Sequence, residues 1–88
     1  TILNLIKTAY NEDDGIYIKV VTNMNTTGTF YVCSATGSKQ NETAYKKALE
    51  EATTKSNKSY ITPSASFSGS VIRNANKAII GIEFTQDK

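Results

Sequence analysis

Few residues in this chain could do chemistry. They are Cys33, the triplet Gly37-Ser38-Lys39, and the acids Glu12, Asp13 and Asp14. Cys33 would act as a nucleophile only as its thiolate, which needs a nearby cation or histidine to lower the thiol pKa. The sequence has no histidine. That removes the usual general base and most catalytic triads. Cys33 therefore reads as a small buried or half-buried thiol within a strand. Gly37-Ser38-Lys39 lies between a strand and a helix, where phosphate loops sit, but the pattern G-x-x-x-x-G-K-[ST] is absent. A helix cap is the better account. The loop Asn11–Gly15 fails as a calcium loop because Tyr10 stands where the first oxygen ligand belongs, so it reads as a solvated turn. One cysteine makes no intrachain disulfide, and one thiol without histidine makes no zinc cluster. No catalytic residue, metal or cofactor is expected.

Composition narrows the classes further. The 88 residues allow one domain, spanning residues 1–88. The formal net charge is +2, from 10 basic and 8 acidic side chains. A strong grip on duplex nucleic acid needs several cations neutralising phosphates together, and this balance argues against it. No apolar run approaches the roughly 18 residues that span a bilayer. Asn4 and Lys7 interrupt the N-terminal apolar stretch, no small-residue cleavage site follows, and no signal peptide is read there. With a lone cysteine, the expected setting is the cytoplasm. The triplets Asn25-Thr26-Thr27, Asn41-Glu42-Thr43 and Asn57-Lys58-Ser59 match the glycosylation pattern, but a chain this rich in Asn, Ser and Thr produces such matches by chance. Abundant Ile, Lys, Asn and Tyr hint at an AT-rich genome, a phage or a plasmid.

The elements that must position any site follow from periodicity. Ile2, Leu3, Leu5, Ile6, Ala9 and Tyr10 share one helical arc, so Thr1–Tyr10 reads as a helix with Thr1 as its cap. Gly15 supplies a positive φ in the loop that follows. Ile16–Thr22 and Thr29–Ala35 read as two strands of a hairpin, turned at Asn23–Gly28. Glu42 to about Lys55 reads as a second helix, capped by Ser38 or Asn41, with a narrow stripe of Ala44, Tyr45, Ala48, Leu49 and Ala52. Ser64–Arg73 and Ala78–Thr85 form the last hairpin, turned at Asn74–Lys77.

The order α-β-β-α-β-β predicts an α+β domain: a four-stranded, mainly antiparallel sheet with both helices on one face. Alternation assigns Ile16, Ile18, Val20, Phe30, Val32, Phe67, Val71, Ile80, Ile82 and Phe84 to the covered face. The open face then presents Tyr17, Lys19, Val21, Tyr31, Cys33, Ser66, Ser68, Ser70, Ile72, Ile79 and Glu83. Tyr17, Lys19, Tyr31, Ser66, Ser68 and Ser70 are the expected partner-binding residues. Aromatic and basic side chains on an open sheet suit a protein partner or a second copy of the chain. They also suit stacked single-stranded bases, the second reading. The expectation is a non-enzymatic interaction module, an inhibitor, adaptor or accessory factor of phage or mobile-element type. It would bind a protein through the open face or an edge strand, and no membrane.

Overall fold

A computed structural model describes all 88 residues. The first helix, α1, spans Ile2–Glu12, and the Thr1 hydroxyl accepts from the Asn4 N–H at 3.2 Å, as expected of a cap. α1 outruns the predicted end by two residues and stops at Asp13, which is left-handed. Gly15 follows with φ +72°. β1 is Tyr17–Thr22, β2 is Asn25–Tyr31, and α2 is Glu42–Ala52. Asn41 caps α2, its side-chain oxygen accepting from the Ala44 N–H at 2.8 Å. β3 is Phe67–Arg73 and β4 is Ile79–Gln86. Asn74 organises the turn between them by accepting from the N–H groups of Asn76 and Ala78.

The sheet order is β2-β1-β4-β3, with both helices on one face. The outer pairs are antiparallel hairpins; the central pair, β1 with β4, is parallel, so the sheet is mixed. The parallel pairing follows from the connection. The chain leaves β2, crosses the sheet through α2 and enters β3 running in the same direction as β2, so β4 must run with β1.

Two expectations about the first hairpin are corrected. Its turn is the two residues Asn23 and Met24, not Asn23–Gly28, because Thr22 pairs with Asn25. Between the pairs Thr22–Asn25 and Val20–Thr29 the register shifts, and β2 bulges around Gly28, whose φ is +83°. Tyr31 pairs beside Ile18, on the helix side, and Phe30 pairs beside Lys19, on the other. That is the reverse of the faces assigned from the sequence, because directly paired residues share a face and the hairpin sets the odd-numbered residues of β2 beside the even-numbered residues of β1. Tyr31, expected on the open face, is 0% exposed in the core.

The core gathers Ile6, Ala48, Ala52 and Ile61 against Ile18, Val20 and Tyr31. It is centred on the β2–β1 half. A polar network closes one end of that half. The Asn25 side-chain amide donates to Thr29 and Ser59, and the Thr22 hydroxyl donates to the Lys58 carbonyl at 2.7 Å. The β4–β3 half is thinly covered. Val71, expected inside, is 52% exposed on the helix side of β3.

Candidate functional site

On the helix-free face, Tyr17 does point away from the helices, yet it is only 7% exposed. Its ring lies flat over Gly81, where an added Cβ would come within 2.3 Å of the ring, and Phe30 meets it edge-on at 5.0 Å. Gly81 is small so that Tyr17 can lie across the sheet. Lys19 extends over the Phe30 ring at 5.5 Å and faces Glu83 at 3.8 Å. Its charge is therefore already met. Ser68 and Ser70 are exposed on this face, next to Thr85 and Glu83, while Ser66 precedes the strand and accepts through its carbonyl from the Asp87 N–H. The six residues singled out from the sequence do not form one surface. Tyr31 is behind the sheet, Tyr17 is packed, and the serines belong to the far margin.

The buried Tyr31 hydroxyl has no hydrogen-bond partner. The nearby Thr29 hydroxyl is engaged with Asn25 and Ser59. Burial, with the Glu51 charge adding to it and the neighbouring Thr29 hydroxyl opposing, pushes the Tyr31 phenol up to about 12. Cys33 is buried just past β2, bridging to Lys39. Burial first, and the Asp13 charge second, raise its thiol pKa, against a smaller opposing effect of Lys39. A thiol held protonated is a poor nucleophile. Lys39 is itself engaged, lying 3.6 Å from Asp13 and 4.4 Å over the Tyr10 ring. No group of three or more His, Cys, Asp and Glu side chains converges anywhere. No helix is long and apolar enough to cross a membrane.

What remains unpartnered is one margin of the sheet. β3 has β4 on one side and no strand on the other. Outward-facing N–H and C=O groups of an edge strand are a template for another chain. From Ser59 to Ile72 no side chain is charged, so nothing guards this edge. On its helix side stand the exposed Val71 and Gly69, where the Phe84 ring lies close enough that an added Cβ would crowd it. A groove of about 390 Å³ continues from there, lined by Ile2, Leu3, Ile61, Pro63, Phe67 and Phe84 among others. Comparison with protein-family models, curated proteins and solved structures finds no match. The functional reading therefore stands on this margin's own chemistry.

Sequence reasoning missed Gly69, Val71, Phe67 and Phe84 as surface residues. The available signal was the uncharged run ending at Ile72, whose serines drew attention to the wrong feature. Their smoothness matters less than the absence of a lysine among them.

Proposed function

We propose that this chain is a non-enzymatic protein-interaction module that accepts an extended segment of a partner protein along β3. The observation that carries the reading is the bare edge of Phe67–Arg73, unpaired on its outer side and uncharged up to its last residue. Strand addition of this kind draws affinity from backbone hydrogen bonds and specificity from alternate side chains. Here the alternate positions on the helix side are Phe67, Gly69 and Val71, next to the apolar groove. An adaptor, inhibitor or accessory factor would use such an edge in the same way.

Single-stranded nucleic acid gains less support. Stacking needs open aromatic faces and free cations. Tyr17 lies flat on Gly81, Lys19 is paired with Glu83, and Phe30 lies beneath Lys19.

The test is capture by the immobilised chain from an extract of its source organism, run in parallel with two variants. Val71→Lys places a charge on the margin; Lys19→Ala alters the helix-free face. The reading expects proteins that the unaltered chain and Lys19→Ala retain and Val71→Lys releases. Capture that depends on Lys19 and ignores Val71 would contradict it.

A further inference from the structure

We infer that the segment taken up at this edge is β3 of a second copy, paired antiparallel about Ser70, an inference that rests on the edge reading above. Three features of the strand suit it to itself. The first is charge. Self-pairing buries the middle of the strand against itself, where a charged side chain would lie against its own copy or an apolar neighbour. Between Ser59 and Ile72 there is none.

The second is direction. Arg73 ends β3, with Lys77 in the turn beyond it. Asp87 lies at the opposite end, where its carboxylate accepts from the Ser68 hydroxyl at 2.7 Å. A parallel pair would stack Arg73 on Arg73 and Lys77 on Lys77. An antiparallel pair separates these cations and brings Arg73 of each copy toward the end that carries Asp87 and Lys88 of the other, a mixed charge in place of a like one.

The third is shape. With Ser70 opposite Ser70, Gly69 of one copy faces Val71 of the other. A Cβ on Gly69 would lie 3.1 Å from the Phe84 ring, so the half-buried ring itself lies across that position. Val71 of the second copy, exposed in the single chain, would pack against that ring. An aliphatic side chain on a ring, twice by symmetry, is a self-complementary contact of the kind that closes a two-fold dimer. The two sheets then run as one, and the uncovered margin of each copy becomes interior.

Sedimentation and cysteine pairing test this together. The unaltered chain is expected to sediment at twice 9.6 kDa in a concentration-dependent manner, and Val71→Lys at 9.6 kDa under the same loading. Ser70→Cys is expected to form a covalent dimer on mild oxidation, since residues facing across a two-fold lie within disulfide reach. Ser68→Cys, which would face Ile72 instead, is not. Cys33 is buried, and the unaltered chain serves as its control. Should Val71→Lys fail to fold, the cysteine comparison decides alone. An unaltered chain that stays at 9.6 kDa at the highest concentration it tolerates overturns the inference, as does equal cross-linking of Ser68→Cys and Ser70→Cys. A monomer whose capture of another protein is still lost in Val71→Lys overturns self-pairing and leaves the edge reading standing. A monomer with capture unaffected by Val71→Lys ends both.

Discussion

At the β2 margin of the sheet, Gln40 folds back along the strand. Its side-chain amide donates to the Phe30 carbonyl at 3.3 Å, and its side-chain oxygen accepts from the Val32 N–H at 2.8 Å. Its own N–H reaches the Val32 carbonyl at 2.8 Å. The strand is bulged at Gly28, and Val32 leaves it with φ +75°. An incoming strand would find those groups taken and the edge bent. At the β3 margin no side chain folds back, and the one irregularity is a register shift against β4 at the strand's end, between Ile72 and Arg73. The strand has no proline or lysine, and the Ser66 carbonyl that accepts from the Asp87 N–H faces β4 rather than the margin. Natural sheets blunt the edges they do not use. This one blunts a single edge, and that asymmetry is what supports β3 as the proposed docking edge.

The comparison also divides the molecule energetically, and it can be broken by substitution. The largest effect belongs to the β2–β1 half. Tyr31→Ala removes a fully buried aromatic and is expected to cost about 3–5 kcal/mol, measured by urea unfolding. In a domain this small that comes close to abolishing the fold. Gly81→Ala comes next. Its Cβ would drive Tyr17 off the sheet, an overpacking cost of about 1–3 kcal/mol, visible as a loss of unfolding free energy and a change in tyrosine fluorescence. Gln40→Ala is expected to cost about 1–3 kcal/mol by leaving partly buried backbone groups unpaired. It should also open the β2 edge, so new self-association in this variant would sharpen the contrast between the two margins.

Tyr31→Phe separates the hydroxyl from the ring. Because the hydroxyl has no partner, its removal is expected to be neutral or stabilising at pH 7. Its effect on pH dependence has a defined sign. The folded phenol pKa, about 12, lies above the ordinary 10.0, so the folded state holds its proton longer than the unfolded one. Stability is therefore intact below pH 10 and falls between 10 and 12. Tyr31→Phe should remove that part of the alkaline loss, as measured by unfolding across this range. The smallest effect on the fold belongs to the β3 margin. Val71→Ser should change the stability of the single chain by no more than about 0.5 kcal/mol, as exposed positions do. Yet it should weaken association far more than Lys19→Ala does.

Much of the fold was legible because its signals are local. Thr1 and Asn41 cap the helices through side chains that act within three residues. Gly15 and Asn74 act within their own turns. The element order follows from periodicity alone. What was illegible depends on non-local pairing. Gly28 looked like part of a turn but sits within β2, and the faces of Phe30 and Tyr31 are set by their partners Lys19 and Ile18 across the hairpin. Two tyrosines in similar strand contexts are buried on opposite faces of the sheet. Tyr17 is covered because Gly81 lies beside it in a parallel neighbour, a pairing no local pattern announces. Val71 shows the limit of alternation, which gives the side of a sheet but not whether a helix reaches that far. Of the six residues expected to bind a partner, only the serines around β3 lie beside the margin that stays open.

Amide hydrogen exchange of β3, followed at low and at high protein concentration, tests the central claim most directly. The outward-facing N–H groups of Phe67–Arg73 should exchange freely in dilute solution and become protected as concentration rises, while the β2 edge stays unchanged. Protection of β3 that is the same at both concentrations, or a concentration response confined to β2, would contradict the account.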